Sequence, residues 1–467
     1  MTSKTKRPLS TSAAFLPLFL AASFAVFLLS RSAMIDRAAK EAKPLSKEEK
    51  LEFYKRLDAL YPERLELLRP LPYEAPAAGF ELKAGAAILI DYKTGFILYQ
   101  KNAGKVIPPA SMTKLFLMRS VLEKVREGKA ALDQTISLDQ RSWACSAPPH
   151  SSLMFLGKGQ IVTLEELLCG INVASGNDAA AAVAYSLFGS MENFIAQANA
   201  LAKGLGLKNT VIVESTGYSE NNLTTPREMA AFCRAYIRDF PDALQKFHSI
   251  KTFVYPKERN LPPEQRGRPS QDFSRGIPQE IWTQFEFENT NKLLGVLPGC
   301  DGIKTGHINE SGYNLALTTK RGDERWISVT MLGPGNSLRE GDEGRCADGT
   351  ALHEWAYKNF RSFDAAAFAR TEFVVPLYGS EKMAVRLVLK EAAALPIPKD
   401  ANAVVKAAAP KYLFGSVQEG KPYGSLLICD GERVLAEIPL VAAESSRAAN
   451  QFVQRSDEII LRLKGVR

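Results

Sequence analysis

Pro108-Pro109-Ala110-Ser111-Met112-Thr113-Lys114, running straight into Leu115-Phe116-Leu117-Met118, is the stretch around which the rest of the chain is read. Two prolines suit the approach to a helix and not its interior, and Ser is favoured where a helix begins. Ser111 is therefore expected at the mouth of a helix. Lys114 then lies about one turn further on along the same face, with its amine within reach of the Ser111 hydroxyl. A Ser hydroxyl is a poor nucleophile at neutral pH until a neighbour takes its proton, and a partly desolvated Lys can do so. Taken alone, the motif is also just a helix start, and Ser-x-x-Lys recurs at Ser3 to Lys6.

Ahead of this stretch, Ala86 to Ile90 and Phe96 to Tyr99 read as the strands of a hairpin turned by Asp91-Tyr92-Lys93-Thr94-Gly95. The first strand is apolar at almost every position, as a central strand covered on both faces would be. Behind it, Gly128 closes the Ser111 helix. Residues 163–188 read as two apolar helices broken by Ala174-Ser175-Gly176-Asn177-Asp178, a polar loop that is costly unless its groups are paired or functional. Further helices are expected over 194–205 and 225–237, the latter started by Thr225-Pro226. Residues 256–283, rich in Pro, Arg and Gln, read as an insertion or mobile loop. Strands over 313–318 and 326–332 and a helix over 351–360 complete an α+β layer architecture. After Phe363, short apolar runs at 373–377, 384–389, 426–429 and 434–440 alternate with turn residues, as in a small all-β sandwich. Ile459, Leu463 and Val466 form a weak helical stripe at the end, too short for an anchor.

The 467 residues suffice for two to three domains, and 46% hydrophobic with 24% charged residues is the balance of a folded protein. The net charge of +8 is interspersed with acidic residues, which argues against nucleic acid and for a weak attraction to an anionic membrane or wall surface. Lys4, Lys6 and Arg7 precede an apolar run from Ala13 to Leu29, the pattern of a secretory signal or an uncleaved anchor. Ser30-Arg31-Ser32 offers small residues at the alternate positions that cleavage requires, and either outcome exports the chain beyond Ala33. Six dispersed cysteines allow 15 full pairings in such a compartment, none of them selected by spacing, and free buried thiols are the alternative. His150, His248, His307 and His353 form no metal-site pattern.

Two more motifs bear on Ser111. Lys304-Thr305-Gly306, after Asp301-Gly302-Ile303, would present a cation, a hydroxyl and open backbone to a substrate carboxylate, and Ser175-Gly176-Asn177 offers a hydroxyl and an amide. Each has a duplicate, Lys93-Thr94-Gly95 and Ser219-Glu220-Asn221. The first fills a hairpin turn, where these residues need no functional reason, and the second lacks buried flanks. The order Ser111, Ser175, Lys304 therefore carries the argument.

That order, with the flanks Ala87-Ile-Leu-Ile-Asp91, Pro109-Ala-Ser-Met-Thr-Lys114, Ser175-Gly-Asn-Asp178, Asp301-Gly-Ile-Lys-Thr-Gly-His307 and Gly312-Tyr-Asn-Leu315, resembles the exported D-alanyl-D-alanine carboxypeptidases of the penicillin-binding and serine β-lactamase superfamily. The resemblance covers roughly residues 79–455 and extends to Pro439-Leu440-Val441 in the β-rich tail. It implies a β-lactamase/transpeptidase-like fold, an antiparallel sheet with a helical cluster, and the division 1–33 signal or anchor, 34–78 helical stalk, 79–365 catalytic domain and 366–467 C-terminal β domain. It implies Ser111 as nucleophile, Lys114 as base and Ser175 as proton relay. Asn177, Lys304, Thr305 and Gly306 would bind substrate, and the backbone N–H groups of Ser111 and His307 would form an oxyanion hole. The substrate would be a peptidoglycan stem peptide ending in D-Ala-D-Ala, with β-lactams as inhibitors, membrane association, and neither cofactor nor metal. The sequence departs from the family pattern in the length of 256–283 and in showing no C-terminal amphipathic anchor. Two readings compete: a β-lactamase, for which Glu214 is the candidate deacylating base although its setting lacks Glu-x-x-x-Asn, and a catalytically silent wall-binding scaffold.

Overall fold

The computed structural model describes residues 12–61, 68–266 and 283–466, with side chains from residue 19 onward. The duplicate Ser3–Lys6 motif and most of the 256–283 segment lie outside them. The chain forms two compact units, one made of Leu67–Ser362 with Pro396–Lys399, the other of Met1–Glu66, Phe363–Leu395 and Asp400–Arg467.

In the first unit the expected hairpin, Ala86–Asp91 and Phe96–Lys101, joins a six-stranded sheet. Ala86–Asp91 pairs antiparallel with Glu324–Gly333, which pairs with Gly312–Arg321, which pairs with Cys300–Ile308 at the edge. The apolar run in the central strand has a direct cause in packing. Ala86, Ile88 and Ile90 face the helical core with Leu115 and Phe116, while Ala87 and Leu89 face Trp326, Leu352 and Ala356 on the other side. Successive side chains of a strand point to opposite faces, so both sets must be apolar.

The serine helix Lys114–Arg126 is buried at every position from Lys114 to Leu122, which is why its start is apolar all round. The expected pair of helices around the polar loop is Leu164–Val173 and Asn177–Phe188, the first opened by a Thr163–Glu166 capping box. The helix expected over 351–360 instead begins thirteen residues earlier and spans Leu338–Asn359. Its first half, with Gly341, Gly344 and Gly349, has little apolar periodicity to reveal it. The glycine at 341 is needed because a Cβ there would lie 2.3 Å from the Tyr313 ring.

The second unit contains a six-stranded sheet in the order Ala403–Ala408, Pro422–Asp430, Arg433–Ala442, Ala384–Leu389, Glu372–Tyr378, Leu413–Phe414, antiparallel except for the last pair. Helices Ser12–Glu41, Lys47–Leu60 and Gln451–Leu463 belong to it. A capping box between Ser46 and Glu49 opens Lys47–Leu60, and the segment read as a stalk carries a packed face: Phe53 and Leu57 are buried with Val388, Val441 and Ala443. In the C-terminal helix the stripe read from sequence points outward, with Ile459 and Leu463 exposed; Ser456, Asp457, Ile460 and Leu461 are the buried face. The six cysteines are free thiols.

Candidate active site

Ser111 sits in a single 3-10 turn, Ala110–Thr113, that feeds directly into the serine helix. No side chain caps that turn, so the Ser111 hydroxyl is not used as a helix cap. It accepts a hydrogen bond from Lys114 Nζ at 2.9 Å. The same amine donates to Asn177 Oδ1 at 2.7 Å and to the Thr216 carbonyl at 2.5 Å. Lys114 is wholly buried, and burial pulls its pKa down to about 7, against the opposing pull of the Glu214 and Asp178 carboxylates.

Lys304 Nζ donates to Ser175 Oγ at 2.9 Å and to the Thr305 carbonyl at 3.2 Å. It too is buried, and desolvation, then the nearby Lys114 and Arg345 cations, hold its pKa well below the ordinary value. The two lysines therefore bracket two hydroxyls, one on the serine helix and one in the inter-helix loop. Ser175 adopts φ +56°, a left-handed conformation unusual for a residue with a Cβ, and such positions concentrate at functional sites.

The loop is anchored from behind. Asp178 accepts from the backbone N–H groups of Met154 and Leu156 at 2.8 and 2.9 Å, and Asn177 N–H donates to the Ser152 carbonyl at 2.7 Å. On the sheet side, a Cβ at Gly306 would lie 2.6 Å from the Pro109 carbonyl oxygen and 3.2 Å from the Ser111 nitrogen. Glycine at that position is what lets the edge strand lie against the serine turn. Thr305 Oγ1 donates to Thr290 Oγ1 at 2.7 Å, and His307 stacks on Tyr313 at 4.1 Å between ring centroids.

A cavity of about 770 Å³ opens at Ser111, lined also by Asn177, His307 and, on one wall, Ser219 to Asn221. The duplicate Ser219-Glu220-Asn221 thus borders the site although it does not join the lysine–serine network. The other duplicate, Lys93-Thr94-Gly95, is held in its hairpin turn by the Asp91 carboxylate.

Glu214 is fully engaged in its own loop. Its carboxylate accepts from Thr216 N–H and Oγ1, from Gly217 N–H at 2.7 Å and from Asn222 Nδ2. It holds the Thr216 carbonyl where Lys114 uses it, which makes Glu214 a brace for the base and leaves no free lobe for activating water.

Three contributors carry no signal in the sequence. Thr216 offers only a backbone carbonyl, and Thr290 is one hydroxyl in a segment without a motif. Arg345, buried on the unforeseen half of the long helix, directs its guanidinium to the Asn314 and Thr290 carbonyls and pairs with Asp342. A Gly-rich helical turn carrying one Arg does not announce itself.

Residues 73–335 match the family model described as D-alanyl-D-alanine carboxypeptidase. Among curated proteins the chain is 30% identical over 380 residues to the D-alanyl-D-alanine carboxypeptidase DacF of Bacillus subtilis, covering 80% of this chain and 89% of the relative. It is 27% identical over 390 residues to DacA of Escherichia coli, with 82% and 88% covered. Among solved structures, penicillin binding protein 5 from Haemophilus influenzae superposes with a TM-score of 0.64 at 26% identity, over 80% of this chain and 100% of that one.

Proposed function

The chain belongs to the D-alanyl-D-alanine carboxypeptidase family, and from that membership we propose how its own residues divide the reaction. It is a serine-type D-Ala-D-Ala carboxypeptidase of the penicillin-binding class, acting through an acyl-enzyme and inhibited covalently by penicillins. The observation that carries the assignment of residues is the 2.9 Å contact between Ser111 Oγ and a fully buried Lys114.

Lys114, as a free amine, takes the Ser111 proton while Oγ bonds to the carbonyl carbon of the penultimate D-Ala. The negative charge that forms on the carbonyl oxygen is held by the backbone N–H groups of Ser111 and His307, each such donor contributing about 100- to 1,000-fold in rate. Lys304 and Thr305 bind the terminal carboxylate, Gly306 admits the substrate backbone beside the nucleophile, and Asn177 holds a substrate amide. When the C–N bond breaks, the proton held by Lys114 passes through the Ser175 hydroxyl to the departing D-Ala amine, which returns Lys114 to the free amine. Water then attacks the ester, Lys114 takes its proton and hands it to Ser111 Oγ as the ester bond breaks, and the shortened stem peptide leaves as a carboxylate. Nothing in this sequence of steps calls on a metal or cofactor.

The catalytic residues fall within 79–365, and 366–467 is assigned to a separate β domain. We infer that the enzyme works beyond the cytoplasmic membrane, in the periplasm or on the outer face of that membrane, where peptidoglycan is its substrate. Ser111→Ala is expected to abolish both D-Ala release and covalent labelling by a fluorescent penicillin; persistence of either overturns the assignment.

A further inference from the structure

The N-terminal helix Ser12–Glu41 runs unbroken through the one stretch, Ser30-Arg31-Ser32, that offered a cleavage site. Arg31 is not a solvent-facing flank there. Its guanidinium donates to both carboxylate oxygens of Asp457, at 2.6 and 2.8 Å, and Asp457 is fully buried while also accepting from Gly379 N–H at 2.6 Å. Four residues on, Ile35 is buried in a cluster with Leu28, Tyr378, Ile460 and Leu461. Asp36 pairs with Lys464 at 2.7 Å. The link to the next helix is fastened as well, since Arg386 donates to the Lys43 carbonyl and Leu45 N–H to Glu372. All of these residues lie in one compact unit.

Upstream of Leu28 the same helix is different. Phe19, Leu20 and Val26 are exposed, Leu29 continues the exposed line, and Phe452 of the C-terminal helix joins it beside Phe24 and Phe27, with ring centroids 6.1 and 5.5 Å away. The segment Phe19–Glu41 is long and apolar enough to cross a membrane and is mostly exposed.

We propose that this helix is retained as a permanent membrane anchor, with its apolar N-terminal half in the lipid bilayer and its C-terminal half, from Leu28 to Asp36, built into the C-terminal β unit. Removing residues up to Ser32 would leave the Asp457 carboxylate buried without its cation, a strongly unfavourable state. The occupant of the exposed half follows from length and charge. The 15 residues from Ala13 to Phe27 span about 22 Å as a helix, most of the ~30 Å of a bilayer's hydrocarbon. Lys4, Lys6 and Arg7 precede it in the sequence, a cationic flank of the kind that favours the cytoplasmic side. Retention is independent of the catalytic assignment.

The test uses the full chain with a C-terminal tag, expressed in an exporting bacterium. Intact mass of the purified protein should include the residues upstream of Arg31, and the protein should stay in the membrane pellet through alkaline carbonate. A mass beginning at or beyond residue 31 in the soluble fraction overturns the proposal. Purified protein should float with vesicles of phosphatidylethanolamine and phosphatidylglycerol, whereas F19D combined with L20D, at exposed positions, should not. Equal flotation of the two, or a lipid-free dimer in place of flotation, overturns the bilayer as occupant. Asp457→Ala should expose the C-terminal helix to protease while leaving penicillin labelling of Ser111 intact; unchanged protease resistance would remove the clamp from the argument.

Discussion

Replacing Lys114 with Met separates what burial of the amine does for chemistry from what it does to the fold. Burial brings the Lys114 pKa from 10.5 to about 7. At pH 7 roughly half of the molecules then hold a free amine, against about 0.03% for an ordinary Lys, a gain in available base of roughly a thousand-fold. The same shift has a cost of about 5 kcal/mol at 1.36 kcal/mol per unit, partly returned by the three hydrogen bonds of the amine. The folded-state pKa lies below the unfolded one, so between about pH 7 and 10.5 the unfolded chain binds the extra proton and the wild-type protein gains stability as pH rises. The penalty is complete below about pH 7 and gone above about 10.5. Met carries no such term. The difference in unfolding free energy between Lys114→Met and wild type should therefore move in favour of wild type by up to about 5 kcal/mol across that window. All four tryptophans, Trp143, Trp282, Trp326 and Trp355, fall in the sequence of the catalytic unit, so urea unfolding monitored by their fluorescence at pH 6, 8 and 10 measures it. In parallel, wild-type acylation by a fluorescent penicillin should rise with pH through a midpoint near 7, and Lys114→Met should not be labelled. A stability difference indifferent to pH, or a flat acylation rate from pH 5.5 to 8.5, would refute the role given to the buried amine.

Other substitutions test other parts of the site. Ser175→Gly removes the hydroxyl while relieving the left-handed backbone, so kcat should fall about 100-fold or more with the melting temperature unchanged or higher; a drop in melting temperature would mark Ser175 as structural. Gly306→Ala should reduce penicillin acylation at least ~10-fold, because the new methyl meets the Pro109 backbone and must move the strand away from Ser111; near-normal acylation kinetics would show that the close approach is dispensable. Thr290→Val should raise KM for a free-carboxylate peptide by about 3- to 10-fold with little change in kcat, the worth of one hydrogen bond to Thr305; a change confined to kcat would count against Thr305 as a carboxylate ligand.

Much of this arrangement was legible in the chain because local rules and global fold agree. The twin prolines before Ser111, the polar break at Ser175–Asp178 between apolar helices, and the two-sided apolar strand Ala86–Asp91 each have one economical explanation, and the structure uses it. What could not be read has no periodic or motif signature. The first half of Leu338–Asn359 is set by close packing of glycines against Tyr313 and Leu317, a tertiary demand that looks like a loop in sequence. Arg345, Thr216 and Thr290 act through partners remote in the chain. The outward stripe at Ile459 and Leu463 misled because the inward face of that helix is led by a carboxylate, Asp457, whose burial makes sense only with Arg31 opposite.

The pairing of Ala86–Asp91 with Glu324–Gly333 at the centre of the sheet sets a timetable for the newborn enzyme. At ~5–20 residues per second, the roughly 240 residues between Asp91 and Gly333 take about 12–50 s to synthesise. Until then the serine turn has no edge strand against it, and Lys114 is not sealed from water. Before those strands arrive the chain is thus chemically silent, and competence to acylate is conferred only once they have paired. The N-terminal helix waits longer still, for Asp457 lies 124 residues beyond Gly333.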